Sequence, residues 1–182
     1  MKMEKDGFRL VDAGARLIPD ANSAYDPEKI DHSHYVMAVR ELFRQQGFNP
    51  KKAKSLITGI NGFIGGNLSK KLIENEANVF GLIRDGNRST FIFHEKLDHK
   101  ITFIDGNITD KDLIARIIGE YNIDAVFHFA AQVEVGVGLT NPFLTYETNI
   151  RGTYSLLEGI RQSGISVDSI VIASSDKAYG SY

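Results

Sequence analysis

The sequence predicts an α/β protein with a doubly wound parallel sheet, and three observations predict it. From residue 53 onward, short apolar segments alternate with longer amphipathic segments of helical spacing. The apolar segments are continuous, which is typical of strands buried on both faces of a parallel sheet. A repeated order of strand, helix and strand gives right-handed crossovers, so the helices cover both faces of the sheet.

Composition narrows the classes of function. The chain has 182 residues with 21 basic and 23 acidic side chains, a formal net charge of −2 and no cysteine. Because no block of like charge is present, we expect neither a nucleic-acid partner nor a membrane-surface partner. Without cysteine, a disulfide scaffold, a zinc-thiolate site and a thiol nucleophile are excluded. No apolar run has the length of a signal peptide or a membrane span, which predicts a cytoplasmic protein.

The chain divides near residue 50, because residues 1–50 lack the alternation that follows them. Within these residues, the segment Pro27–Phe48 has apolar side chains at the spacing of one helical face. One amphipathic helix cannot form a core. We therefore predict that residues 1–50 are an extension whose helix packs on the main domain or on a partner subunit, and that residues 51–182 form the doubly wound domain.

The strands are predicted from the apolar segments, taken in chain order. They are Ser55–Thr58, Asn78–Ile83, Ile101–Ile104, Ala125–Ala130 and Ser169–Ala173. The first helix is predicted over Phe63–Glu74, with Ile64, Leu68 and Leu72 on one face.

The other two helices are predicted from their caps. The residues from Thr109 to Asp112 have the pattern of a capping box. The core positions of that helix are predicted to be Leu113, Ile114, Ile117 and Ile118. The last helix is predicted to begin at Asn141, with a proline in its first turn, and to end before Gly164.

A glycine-rich turn directly follows the first predicted strand and opens the first predicted helix. The letters TGINGFIG place glycines at Gly59, Gly62 and Gly65. Gly59 permits the tight turn, Gly62 lets backbone amides approach a pyrophosphate, and Gly65 lets the helix lie close to the sheet. This order predicts a dinucleotide site in a Rossmann domain, and no Gly-Lys-Ser/Thr follows as a P-loop requires. The other turn residues predicted to line the site are Asn61, Phe63 and Ile64.

The same turn resembles that of the extended short-chain dehydrogenase/reductase family, in particular its nucleotide-sugar epimerases and 4,6-dehydratases. Further segments carry the resemblance: VFHFAAQ over 126–132, TYETN over 145–149 followed by Gly152 and Thr153, and SSDKAYG over 174–180. The resemblance covers residues 53–182 and implies that the fourth strand ends under the ribose and nicotinamide of the cofactor. The residues that it assigns to the cofactor there are Ala130, Ala131, Gln132 and Asn149.

The end of the second strand bears on the choice of cofactor. An acidic residue there suits the 2′-hydroxyl of NAD, and a basic residue suits the 2′-phosphate of NADP. Arg84 stands where NAD-using relatives carry the acid, and this stretch is similar to GDP-mannose dehydratases, which implies NADP. The alternative is that Arg84 is a solvated charge and Asp85 binds the ribose of NAD. The resemblance further implies an adenine contact at Asn107, where the family usually has an aspartate, because an amide oxygen also accepts hydrogen bonds. Ile108 is assigned to the cofactor site together with it.

The family resemblance assigns the chemistry to three consecutive residues after the fifth strand. It implies that Ser175 hydrogen-bonds the 4-hydroxyl of the sugar and that Asp176 protonates the departing 6-hydroxyl. Lys177 replaces the glutamate with which many dTDP-glucose dehydratases remove the C5 proton, and the Asp-Lys pair is similar to CDP-glucose 4,6-dehydratases. A lysine takes that proton only where desolvation or a neighbouring cation lowers its pKa. The alternative is a salt-bridged surface turn.

The family's Tyr-x-x-x-Lys pair does not follow the fifth strand, since neither Tyr179 nor Tyr182 has the required lysine after it. The sixth and seventh strands and the sugar pocket are missing too. We therefore expect the N-terminal part of a longer enzyme, inactive alone, that acts when intact as a homodimer on a nucleotide-diphosphate hexose. The favoured function is a 4,6-dehydratase, and the alternatives are a C4 epimerase and a non-catalytic module that senses NADP(H).

The histidines are interpreted without a metal. His32 and His34 point to different sides of the predicted N-terminal helix, so they are expected on a solvated face. His128 lies in the fourth predicted strand. We predict a hydrogen-bonded core histidine there rather than a catalyst.

Overall fold

The structure is a computed structural model that describes residues 48–174. The predicted N-terminal helix, with His32 and His34, lies outside the described residues. So do Ser175, Asp176 and Lys177. These assignments, and the division of the chain at residue 50, stay predictions.

Five parallel strands form one sheet in the order β3-β2-β1-β4-β5. They are β1 (Lys54–Thr58), β2 (Asn78–Ile83), β3 (Ile101–Asp105), β4 (Ala125–His128) and β5 (Ser169–Ile172). Every predicted strand occurs, and β2 has the predicted bounds. The doubly wound parallel sheet is thus confirmed.

The predicted fourth strand is too long, because β4 ends at His128 rather than at Ala130. The register pairs His128 with Thr58, the last residue of β1. Beyond this pair the chain leaves the sheet, and the amide of Ala130 donates to the side-chain oxygen of Thr58 at 3.2 Å. A side chain of the neighbouring strand therefore replaces the strand backbone as the acceptor.

The described part of the chain contains six α-helices. They are α1 (Phe63–Glu74), α2 (Phe91–His94), α3 (Lys111–Tyr121), α4 (Val135–Thr140), α5 (Pro142–Tyr146) and α6 (Gly152–Ser163). The predicted bounds of α1 are confirmed. Helix α3 is capped by Asp110, one residue later than the predicted capping box begins, and the Asp110 carboxylate accepts from the amide of Leu113 at 2.9 Å.

The last predicted helix contains an unpredicted π-helical turn. Asn141 caps α5, as predicted, by accepting from the amide of Leu144 at 3.2 Å, and Gly164 ends α6 with a positive φ of 68°. Between α5 and α6, the segment Glu147–Arg151 is a π-helix. Such turns are frequent at functional sites, because the wider turn redirects the side chains that it carries.

Two apolar layers sandwich the sheet. Successive residues of β1 face opposite layers, so Leu56 packs on the side of α3 and α6, and Ile57 packs on the side of α1 and α2. Strand β1 is central, with β2 on one side and β4 on the other. In open α/β sheets, a crevice forms at the carboxyl ends of the strands where the crossovers diverge. In this sheet that point lies between β1 and β4.

Candidate dinucleotide-binding site

A cleft of about 980 Å³ opens at the carboxyl ends of the strands. Every predicted cofactor-binding residue lines it. They are Gly59, Asn61, Gly62, Phe63, Ile64, Gly65, Arg84, Asn107, Ile108, Ala130, Ala131, Gln132 and Asn149. Ser174, the last described residue, lines the cleft as well, directly before the predicted catalytic residues.

The glycine turn is shaped by close backbone approaches that only glycine permits. Gly59 has a positive φ of 71°, and a Cβ atom there would lie 2.6 Å from the amide nitrogen of Ala130. A Cβ atom at Gly65 would overlap the carbonyl oxygen of Gly59 and lie 2.8 Å from the Cα atom of Ile60. The chain after β4 and the start of α1 therefore both pack closely against the turn, and these contacts fix the position of the turn.

The turn leaves the start of α1 open toward the cleft. Across the whole of α1, which the structure describes, no side chain caps the N-terminus and no acidic residue lies in the first turn. A helix N-terminus without a capping side chain, together with the positive end of the helix dipole, favours an anion. These features fit the pyrophosphate of a dinucleotide.

Among the described residues, one buried polar atom in the turn has no hydrogen-bond partner. The Oδ1 atom of Asn61 is buried and has no hydrogen bond within the described residues. Buried acceptors are normally paired. A ribose hydroxyl group is a donor of the kind that this oxygen lacks, so the residues present fit a bound dinucleotide.

Arg84 and Asp85 lie side by side where β2 enters the cleft. Their side chains are 64% and 62% exposed, and Nη2 of Arg84 is 3.7 Å from the Asp85 carboxylate. An exposed pair at this distance is weak. The guanidinium group is therefore available to a phosphate, and the carboxylate to a ribose hydroxyl.

Asn107 occupies the edge of the cleft after β3. Its Oδ1 atom accepts a hydrogen bond from the amide of Thr109 at 3.1 Å. An amide oxygen has a second lone pair, so the predicted contact with an adenine amino group stays open to it. Ile108 is buried beside this residue, and a Cβ atom at Gly152 would lie 2.8 Å from its side chain.

The opposite end of the cleft is held by the side chain of Asn149. This residue lies in the π-helical turn. Its Oδ1 atom accepts from the amide of Gln132 at 2.7 Å, and its Nδ2 atom donates to the Gln132 carbonyl oxygen at 2.9 Å. The side chain of Asn149 thus holds both backbone polar groups of Gln132.

His128 is buried beneath this end of the cleft. It is 3% exposed, and its ring nitrogens contact the hydroxyl groups of Thr58 at 2.7 Å and of Thr153 at 3.0 Å. Burial lowers the pKa of His128 to about 4, because the charged imidazolium loses its hydration. The structure thus shows the hydrogen-bonded core histidine that the sequence predicts.

Sequence reasoning missed the roles of Thr58 and Thr153 in holding this end of the cleft. Thr58 is a fully buried polar residue that ends β1 directly before the glycine turn. Thr153 follows Asn149 by four residues, so the two side chains share one helical face. That spacing was the available signal for Thr153.

The chain is similar to proteins whose names describe reactions of sugar nucleotides. Residues 56–182 match the family described as GDP-mannose 4,6 dehydratase. The chain is 33% identical over 130 residues to a CDP-paratose 2-epimerase of Salmonella typhi, covering 70% of this chain and 38% of the relative. It is 36% identical over 116 residues to a GDP-mannose 4,6-dehydratase of Sordaria araneosa, covering 64% of this chain and 21% of the relative.

A solved structure supports the same grouping. The UDP-glucose 4-epimerase of Stenotrophomonas maltophila, with bound NAD and formylated UDP-arabinopyranose, is similar with a TM-score of 0.63 and 28% identity. The match covers 71% of this chain and 39% of that one. The chain therefore spans about two fifths or less of the length of these relatives.

Among the described residues, no helix is long and apolar enough to cross a membrane, and no group of three metal-ligating side chains is assembled.

Proposed function

The chain belongs to the nucleotide-sugar dehydratase and epimerase family of the extended short-chain dehydrogenases/reductases, and from that premise we propose that it forms the cofactor-binding part of a cytoplasmic, NADP-dependent 4,6-dehydratase. The observation that carries the proposal is the single cleft lined by all the predicted cofactor residues. The match over residues 56–182 to the dehydratase family supports the choice of reaction.

In this proposal, different residues of the cleft bind different parts of the cofactor. The amides at the start of α1 bind the pyrophosphate, which can approach the backbone because Gly62 has no side chain, and Arg84 binds the 2′-phosphate of NADP. Asn107 accepts from the adenine amino group. When bound, the nicotinamide ring supplies the hydride chemistry that the reaction at C4 and C6 of the sugar requires.

Three residues directly after Ser174 act on the sugar in this proposal. Ser175 hydrogen-bonds the 4-hydroxyl and orients the hexose. Asp176 donates a proton to the 6-hydroxyl oxygen, which leaves as water, and Lys177 takes the C5 proton. Ser174 lines the cleft, which supports substrate chemistry at this point of the chain.

The cofactor assignment is tested by calorimetric titration of the protein with NADP and NAD. A charge-assisted contact contributes about 1.5–3 kcal/mol, so NADP is expected to bind about 10- to 150-fold more tightly than NAD. Arg84→Ala should weaken NADP binding and leave NAD binding nearly unchanged. Asp85→Ala is the matched control and should preserve the preference. Equal affinities, or loss of both ligands in Arg84→Ala, would move the ribose contact to Asp85.

A C4 epimerase is the second candidate, because the matched solved structure is a UDP-glucose 4-epimerase. An intact enzyme that includes this chain, supplied with nucleotide-diphosphate hexoses, distinguishes the two reactions. A dehydratase forms a 4-keto-6-deoxy sugar, and Asp176→Asn should slow that step by about 10²- to 10⁴-fold. Inversion at C4 without that product would establish the epimerase. Dinucleotide binding without either reaction would favour a sensing module.

We also propose that the intact protein is a homodimer. Large apolar side chains are exposed along the segment from α5 to α6, at the spacing of one helical face: Phe143, Tyr146, Ile150 and Tyr154. Exposed apolar patches of this kind mark protein interfaces. Light scattering should give twice the chain mass, and a monomer at all accessible concentrations would contradict the assignment.

A further inference from the structure

A continuous series of hydrogen bonds crosses the floor of the cleft through His128. It joins the end of β1 at Thr58, the chain after β4 at Ala130, and the helical segment at Thr153 and Asn149. The direction of each bond follows from how many protons each group carries.

The hydrogen bonds of Thr153 show which ring nitrogen of His128 carries a proton. The Thr153 hydroxyl donates its one proton to the carbonyl oxygen of Asn149 at 2.8 Å. At the 3.0 Å contact with Nε2 of His128, the same hydroxyl oxygen must therefore accept. It follows that Nε2 of His128 carries a proton.

The hydrogen bonds of Thr58 determine the protonation of the other ring nitrogen, and they agree with this tautomer. Its hydroxyl oxygen accepts from the amide of Ala130 at 3.2 Å and keeps its own proton for the 2.7 Å contact with Nδ1 of His128. Nδ1 is then the bare acceptor of a neutral imidazole. In the opposite tautomer Nε2 would be an acceptor, so the Thr153 hydroxyl would have to donate to it instead of to the carbonyl oxygen of Asn149. In an imidazolium both ring nitrogens would be donors, so the hydroxyl proton of Thr58 would have no acceptor.

The series controls the part of the chain that faces the glycine turn. Thr58 holds the amide of Ala130 directly. Thr153 fixes the backbone of Asn149, whose side chain holds both backbone polar groups of Gln132. The backbone of Ala130–Gln132 is therefore held at Ala130 by Thr58 and at Gln132, through Asn149, by Thr153. The imidazole of His128 contacts both threonines.

We propose that His128 is a positioning residue: as the neutral imidazole protonated on Nε2, it holds Ala130–Gln132 in place to receive the nicotinamide half of the dinucleotide. The inference rests on the proposed function for the identity of the ligand. The assignment of the tautomer rests on the hydrogen bonds alone. Burial, which lowers the pKa of His128 to about 4, keeps the ring neutral at physiological pH.

The tautomer is tested by nitrogen NMR of the ¹⁵N-histidine-labelled protein without ligand. For His128 we expect a protonated Nε2 and a bare Nδ1 at neutral pH. Thr153→Val removes the acceptor for Nε2 and should shift the His128 signals, whereas Thr153→Ser should restore them. A protonated Nδ1 in the wild-type protein, alone or with Nε2, would overturn the proposal.

The positioning role is tested by binding two probes, NADP and 2′,5′-ADP, which lacks the nicotinamide half. Loss of one hydrogen bond from the series corresponds to about a tenfold weaker binding of NADP by Thr153→Val. Its affinity for 2′,5′-ADP should equal that of the wild type, which also shows that the variant is folded, and Thr153→Ser should restore NADP binding. Equal weakening for both probes, or none, would overturn the role. Failure of the wild type to bind either NADP or NAD would instead overturn the proposed function, and the tautomer would still be decided by NMR.

Discussion

The two ends of the cleft are built by opposite means. At the end formed by the glycine turn, the shape depends on side chains that are absent, since a Cβ atom at Gly59 or Gly65 would collide with backbone. At the end below Gln132, the shape depends on side chains that are present, since Asn149 and His128 supply the hydrogen bonds. Added atoms should therefore damage the first end, and removed hydrogen-bonding groups the second.

The difference follows from what the backbone does at each end. The glycine turn brings backbone amides toward an anion, so bulk must be absent there. After β4 the chain leaves the sheet, and the amides of Ala130 and Gln132 lose strand partners. These part-buried amides need acceptors, and Thr58 and Asn149 provide them.

The largest effect is expected from adding one methyl group at the glycine end. In Gly65→Ala the new Cβ atom meets backbone of Gly59 and Ile60, which cannot rotate away. We expect a loss of about 4 kcal/mol in the free energy of unfolding, measured by urea denaturation. Gly119→Ala is the matched control, because that glycine lies inside α3 with nothing within 4 Å of the added atom. It should be stabilising by up to about 1 kcal/mol. Similar effects of the two substitutions would break the comparison.

At the end of the cleft below Gln132, the free energy of unfolding should depend on pH. An unfolded histidine titrates near 6.5, whereas burial lowers the pKa of His128 to about 4 in the folded protein. Between these values the unfolded state binds more protons, so stability falls as the pH is lowered from about 6.5 toward 4. The full span corresponds to about 3 kcal/mol.

Urea denaturation across this pH range, compared with His128→Gln, checks that prediction. Glutamine offers a donor and an acceptor but does not titrate, so the variant should lack this part of the pH dependence. Carboxylate titration is common to both proteins and cancels in the difference. Parallel stability curves for the two proteins would show that His128 is not held neutral by burial.

The parts of the fold that sequence predicts well are those with local causes. The bounds of β2 and α1 follow from a continuous apolar run and from a glycine turn that opens into helix. The caps at Asn141 and Gly164 likewise need only their near neighbours. Even the lining of the cleft follows, because a parallel sheet brings the carboxyl ends of its strands together.

The parts that sequence predicts poorly have distant causes. β4 ends early because Ala130 bonds to a side chain 72 positions before it. The π-helical turn places Asn149 against Gln132, 17 positions away, and helical periodicity does not encode that demand. The partners of His128 come from β1 and α6. These are the bonds that build the second end of the cleft.

The smallest effect is expected at Asn107, where the glycine-turn end of the cleft does use a side chain. Its Oδ1 atom accepts from the amide of Thr109 at 3.1 Å in an exposed turn. Loss of such a bond is largely replaced by water, so Asn107→Ala should lower the free energy of unfolding by only about 0.5–1 kcal/mol. If this oxygen also accepts from adenine, the same variant should weaken dinucleotide binding severalfold in calorimetry, while Asn107→Asp, which keeps an acceptor, restores it. A stability loss as large as that of Gly65→Ala would show that side chains support both ends of the cleft, and the contrast between them would fail.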